Sequence, residues 1–171
     1  DLEFVDEFLN GNTSLQFNLN EEHMLYLSYG VGTKTGGFAE SVEVSSGNAA
    51  LHVSENGAQV DSETAQTVEL GTKLSLLNNS ATINLAVFKT RIDDFQETSF
   101  QTIGASAQFL TRNIDVDSEG VEIEGLWQLN EPWRIEGGAV YAESINDREK
   151  YTLAQAPKWT ANIGAIYDNQ L

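Results

Sequence analysis

The sequence predicts an all-β fold: an antiparallel up-and-down sheet of about seven strands, apolar on one face and polar on the other. Three observations carry it. Apolar residues recur at every second position over long stretches, which is the period of a strand and not of a helix. Short turn sequences rich in Asn join these stretches in pairs. Aromatic residues return at one fixed spacing, Trp133 with Tyr141 and Trp159 with Tyr167, eight residues apart on one face of each strand.

The elements follow in chain order. In residues 1–9, Phe4, Val5, Phe8 and Leu9 have helix-like spacing, but the stretch is too short to form a helix by itself. A strand at about 13–19 places Leu15, Phe17 and Leu19 on one side. Asn20-Glu21-Glu22 turns it into a second strand, where Leu25, Leu27, Tyr29 and Val31 alternate with Met24, Tyr26, Ser28 and Gly30. A long polar connection occupies about 36–64. Val68, Leu70, Thr72, Leu74 and Leu76 then alternate with Thr67, Glu69, Gly71, Lys73 and Ser75. Asn78-Asn79-Ser80 is a tight turn, and the chain returns through Ile83, Leu85 and Val87. The course of 98–120 is open, because Ala105 to Leu110 could extend a strand well past the rest of the sheet.

Beyond it, Val121, Ile123, Gly125, Trp127 and Leu129 alternate with Glu122, Glu124, Leu126 and Gln128. Asn130-Glu131-Pro132 makes the turn. Trp133, Ile135, Gly137, Ala139 and Tyr141 follow on one face, then a loop at about 144–157, then Trp159, Ala161, Ile163, Ala165 and Tyr167. Tight turns therefore alternate with long connections. That asymmetry, with an aromatic at each end of an apolar stripe, suits a transmembrane β-barrel segment. Eight residues of strand rise roughly 26 Å. A tilt of about 40° reduces this to about 20 Å of height, near that of an apolar membrane band. A soluble β-sandwich that binds or adheres to a partner is the alternative. In either case Glu69, Lys73, Glu122, Glu124, Arg134 and Glu136 must face water, since burying them is costly.

Composition narrows the function. The chain holds 171 residues, enough for one domain. Cysteine is absent, which excludes disulfides and thiolate metal sites. With 9 Lys plus Arg against 26 Asp plus Glu, the net charge is -17, which argues against a nucleic-acid partner. No apolar run approaches the roughly 18 residues of a transmembrane helix, a test to which β-barrels are invisible. The acidic first residues resemble no signal peptide.

Candidate sites are few. Asp115-Val-Asp117-Ser-Glu119-Gly120 begins like an EF-hand calcium loop, but position twelve is Leu126 instead of a bidentate Glu, and no helices flank it. No metal site and no cofactor is expected. Glu122 and Glu124 share a face but lack a catalytic cleft, and no nucleophile motif such as G-x-S-x-G occurs. The chain is therefore expected not to be an enzyme. Of the two histidines, His23 and His52, the second lies in the 36–64 connection and could face a ligand.

Several segments, in order, resemble one family. Y-L-S-Y-G-V-G-T-K-T-G-G-F contributes Tyr26, Tyr29, Lys34, Gly36, Gly37 and Phe38. E-T-A-Q-T-V-E-L-G-T-K contributes Glu63, Glu69, Gly71 and Lys73, with Ser62 where the family has proline. N-L-A-V-F-K-T-R-I-D-D-F-Q, from Asn84 to Gln96, follows them. G-V-E-I-E contributes Gly120, Val121 and Glu122, and A-P-K-W-T-A-N-I-G-A-I-Y contributes Pro157 and Asn162. These segments, spanning about 24–167, are similar to the barrel strands of TonB-dependent outer-membrane receptors. The resemblance implies part of a 22-stranded barrel, an incomplete one whose plug domain lies outside residues 1–171. It further implies a place in the bacterial outer membrane with lipid around it. Energy would come from the TonB complex through the missing N-terminal part, and the transported ligand would be scarce, such as a ferric siderophore. Tyr26 is expected to face the lumen, and Gly36 and Gly37 to let the strand bend into the 36–64 loop.

Overall fold

The structure is a computed structural model that describes residues 5–38, 59–103 and 106–168. Among the described residues nine strands form, in chain order β1 (Gly11–Asn18), β2 (His23–Lys34), β3 (Gly37–Phe38), β4 (Gln59–Val60), β5 (Glu63–Leu76), β6 (Ala81–Ile103), β7 (Ser106–Asn130), β8 (Trp133–Asn146) and β9 (Trp159–Tyr167). Seven of them make one antiparallel sheet in the order β1-β2-β5-β6-β7-β8-β9, and β3 pairs with β4 as a small separate ribbon. Each strand of the large sheet lies beside its neighbour in sequence, with the β3–β4 ribbon inserted between β2 and β5. This is the up-and-down order expected, with β1 and β9 as the two edges of an unclosed sheet. Residues 5–10 are not helical.

Three turns close one end of the sheet by local chemistry. Asn20 Oδ1 accepts hydrogen bonds from the backbone N–H groups of Glu22 and His23, each at 2.8 Å. Asn130 Oδ1 accepts one from Trp133 N–H at 3.1 Å. At 77–80 the chain reverses through Leu77, Asn78 and Asn79, with φ of 53°, 56° and 66°. Asn tolerates this left-handed region because its short amide can bond locally, whereas Leu pays for it in Cβ strain.

The register shows why the sheet has two characters. One row of directly paired residues runs across all seven strands: Leu15, Leu27, Leu70, Val87, Val121, Tyr141 and Trp159. A second row joins Leu74, Ile83, Gly125, Gly137 and Ile163. Both rows lie on the same face, and that face is uncovered: Leu70 is 53% exposed, Val87 50% and Ile163 86%. Among the described residues no second sheet packs over it, which removes the sandwich reading. Antiparallel pairing sets Trp133 against Tyr167 and Tyr141 against Trp159, each pair with ring centroids 4.9 Å apart. A Trp–Tyr pair thus bounds the apolar band at each end, as the eight-residue spacing predicts.

Past that band the sheet continues as a ribbon. β6 has 23 residues and β7 has 25, while about 9–11 tilted residues suffice to cross a bilayer. The open stretch 98–120 is therefore mostly strand. A bulge between Ile92 and Phe95 interrupts the β6–β7 register. Asp93 and Asp94 both stand against Asp115 there, and Asp94 takes a φ of 58°. The extra residue reverses the alternation of β6: Ala86 and Phe88 share the polar face below the bulge, and Phe95 and Glu97 share it above. Little is fully buried. Val116 and Asn146 are each 1% exposed, paired with one another across β7 and β8.

Candidate functional site

The polar face is built from motif positions that the register brings together. Tyr26 on β2 is paired with Gly71 on β5, and a methyl group at residue 71 would overlap the Tyr26 ring. The glycine therefore provides the floor on which the ring lies. The Tyr26 hydroxyl then donates to Glu69 Oε1 at 2.7 Å. The same device recurs two strands on: Phe88 pairs with Gly120, and a Cβ there would meet the Phe88 ring and the backbone of Tyr141. Aromatic cover of a glycine on the adjoining strand fixes register by shape.

Tyr26, Glu69, Lys73, Asn84, Glu122 and Glu124 line a cavity of about 190 Å³ on this wall. A neighbouring cleft of about 470 Å³ continues past Glu124 to Glu136, Gly138 and Asn162. Asn162 is paired with Gly138, whose missing side chain leaves room for Glu124 and the Asn162 amide. Arg134 Nε stands 3.7 Å from Glu136. The wall is a hydrated acidic surface. Among the described residues no group of three or more His, Cys, Asp or Glu could hold a metal ion.

The end opposite the tight turns is held by ion pairs. Lys34 Nζ meets Glu63 Oε1 at 2.9 Å, and the same oxygen accepts from Gln96 N–H at 2.6 Å, joining two motif positions to β6. Gly36 N–H donates to Ser62 Oγ at 2.7 Å, and that hydroxyl also bonds Asp6, so serine in place of the family's proline serves as a link. Arg112 meets Glu97 at 3.1 Å, forks onto Glu149 at 3.1 and 3.2 Å, and donates to Tyr151 Oη at 2.9 Å. Tyr151 in turn donates to Glu97 at 2.6 Å. Partial burial, then the hydrogen bond to Glu97, raises the Tyr151 phenol above its ordinary range, while Glu149 leads the groups that raise the Arg112 guanidinium. This knot straps the 147–153 segment to the β6–β7 ribbon.

A second knot centres on Arg91. It reaches Asp93 at 2.9 Å, Asp117 and Asp147 at 3.4 Å and Asp115 at 3.7 Å. Asp115 and Asp117 thus belong to a regular strand and pair with a guanidinium; they do not curl into a calcium loop. Lys150, then Arg91, lowers the Asp147 carboxyl. Partial desolvation at the bulge, with Asp115, Asp61 and Asp93 nearby, raises the Asp94 carboxyl.

The remaining expected positions fall as follows. Tyr29 bonds Gln66 across β2 and β5 at 3.0 Å. Val121 lies in the apolar row, and Pro157 is exposed in the loop before β9, where no ladder donor is lost. Gly37 opens β3, and its φ is not left-handed and open space surrounds the missing Cβ, so the backbone there does not require glycine. Phe38 ends β3, and His52 lies outside the described residues. Sequence reasoning missed the Arg91 and Arg112 knots. Their partners come from segments far apart in the chain, and only the bulge brings Glu97 into line with Arg112.

An uncovered apolar band bounded by Trp–Tyr pairs, backed by a hydrated acidic wall, defines a section of an outer-membrane β-barrel. Comparison with known proteins supports this. The description "TonB dependent receptor-like, beta-barrel" matches residues 3–171, and the chain belongs to that family. The family's barrels lie in the outer membrane of Gram-negative bacteria, and they are receptors and transporters.

A probable TonB-dependent siderophore receptor of Acinetobacter baumannii, PiuA, is 24% identical over 142 residues, covering 81% of this chain and 17% of that protein. The copper transporter OprC superposes with a TM-score of 0.70 at 18% identity, over 94% of this chain and 25% of OprC. The ferric yersiniabactin uptake receptor FyuA of Yersinia pestis gives 0.66 at 20% identity, over 91% and 22%. The chain spans well under a third of each of these relatives, and the structural likeness is one of fold.

Proposed function

We propose that this chain is part of the wall of a TonB-dependent receptor that imports a scarce ligand such as a ferric siderophore. The observation that carries the reading is the two-faced register. One continuous apolar face meets lipid between two aromatic girdles, and the opposite face, which carries Tyr26, Glu69, Glu122 and Glu124, lines a water-filled interior. The relatives named as siderophore receptors support the ligand class. The plug and the segment that contacts TonB belong to other parts of the receptor, so that energy coupling and much of ligand capture reside outside these strands. Within this chain, the 36–64 connection with His52 is the part proposed to face the ligand. The wall has no catalytic role; it holds and passes cargo.

The test is uptake of radiolabelled iron supplied as ferric siderophore to cells whose only such receptor is the full-length protein. Uptake that disappears when TonB is deleted is expected. Uptake indifferent to TonB, or none with any ferric siderophore, would overturn the proposal.

A further inference from the structure

We infer that residues 146–151 form a two-jawed clamp on the root of the β6–β7 ribbon, with an outer jaw that salt opens and an inner jaw that holds. The ribbon needs such a footing. In the large sheet β5 pairs with β6 only as far as Asp93, and β8 pairs with β7 only as far as Val116. Beyond those residues β6 and β7 pair in that sheet with each other alone, and an isolated two-stranded ribbon is marginally stable in water. The clamp is one stiff piece. Buried Asn146 accepts hydrogen bonds through Oδ1 from Arg148 N–H at 2.9 Å and Glu149 N–H at 2.7 Å, and Lys150 N–H returns to the Asn146 carbonyl at 2.9 Å. Asp147 N–H donates to the Asp115 carbonyl at 2.8 Å, which seats this turn on the edge of β7.

Two arginines grip the turn from opposite faces. The bulge lies on β6, so β7 alternates without a break: Asp115 and Asp117 fall on the side of Val121, and Arg112 on the side of Glu122. Arg91 shares the side of Val87 and Lys89. It meets Asp147 there at 3.4 Å, and Lys150 Nζ reaches the same carboxylate at 2.6 Å. On the other face Arg112 forks onto Glu149, and Tyr151 donates to Glu97. The jaws are unequal. Arg91 is 42% exposed and divided among four aspartates, three of them at 3.4 Å or more. Asp93, Asp115 and Asp117 thus compete with Asp147 for one guanidinium. Arg112 is 20% exposed and serves two glutamates and Tyr151, with no hydrogen bond longer than 3.2 Å. Exposed ion pairs are worth little and are screened by salt. A short, forked grip by a more shielded guanidinium is stronger. The outer jaw therefore yields first, and the turn then swings on the inner one.

The experiment is hydrogen exchange on the purified full-length receptor, resolved to single amides by mass-spectrometric fragmentation. It is run at ionic strengths of about 0.01 M and 1 M, between which the screening length falls from about 30 Å to about 3 Å. The Asp147 amide reports the outer jaw. The Leu153 amide, which donates to the Ser144 carbonyl at 3.0 Å, reports the inner one and serves as the internal standard. Salt should quicken exchange at Asp147 about threefold to tenfold relative to Leu153, the range set by a few exposed ion pairs. Arg91→Gln should give that quickening at low salt and remove the salt response. Arg112→Gln should quicken both amides at either ionic strength. The wild-type salt series decides if an arginine variant does not fold. An equal response at both amides, or none at either, would overturn the inference, as would an Arg91→Gln receptor in which Asp147 stays protected. No outcome depends on the cargo, so the receptor reading stands or falls separately.

Discussion

Ile163 offers the sharpest test of which medium the apolar face meets. It is 86% exposed, so in a water-soluble sheet Ile163→Arg would cost almost nothing; such surface changes usually stay within about 0.5 kcal/mol. In a membrane its depth decides. Ile163 stands midway between Trp159 and Tyr167, four residues from each. That is roughly 13 Å along the strand, or about 10 Å of height after a tilt near 40°. The side chain therefore sits near the bilayer midplane, where Arg on the lipid face of a barrel costs about 2–4 kcal/mol. The folding equilibrium should fall roughly 30- to 700-fold. Val121→Arg is the internal control. Val121 pairs with Tyr141, at the girdle, where the cost is about 0–1 kcal/mol. The assay is equilibrium unfolding of the full-length receptor in phosphatidylcholine vesicles by guanidinium titration. If Ile163→Arg costs no more than Val121→Arg, the depth assignment is wrong. If it costs under about 0.5 kcal/mol, the face does not meet lipid.

Other outcomes follow from the polar wall and the ribbon. Gly71→Ala should displace the Tyr26 ring and lower the unfolding midpoint, and the loss should shrink in a Tyr26→Ala background, a coupling read by a double-mutant cycle. Arg112→Ala frees the 147–153 segment from the ribbon, so limited proteolysis within it should quicken several-fold; Arg112→Lys should not restore protection, because an ammonium cannot fork onto Glu149. Asp94 has a raised carboxyl, so the folded state holds its proton more tightly than the unfolded state. The stability this adds is complete below the ordinary carboxylate range and is lost as pH rises through the raised value. Asp94→Asn keeps a residue suited to left-handed backbone and removes the repulsion. Hydrogen exchange at the bulge should slow in this variant at neutral pH and match wild type in acid.

Much of the sheet is legible in the sequence because strand period and turn chemistry are local. Trp133, Tyr141, Trp159 and Tyr167 even encode which residues pair, since equal spacing on adjacent antiparallel strands brings each Trp opposite a Tyr. The roles of Gly71 and Gly120 are not legible that way, because their reason is a ring on another strand. The 98–120 stretch is hidden for a different cause. A bulge breaks the alternation on β6, and a period-two reading loses phase there. Gly37 shows the reverse error: a glycine invites a conformational explanation that its backbone does not need.

The bulge has a consequence for how this receptor can change over time. Below it, one inserted or deleted residue would exchange the lipid side for the water side along a whole strand, and the product would not insert. Above it, β6 has already absorbed one such shift and remains paired with β7. The Asp93–Asp94 step therefore acts as a frame boundary. On its outer side, length variation can be tried without disturbing the membrane wall, so that new surface can be presented to the medium on an unchanged foundation.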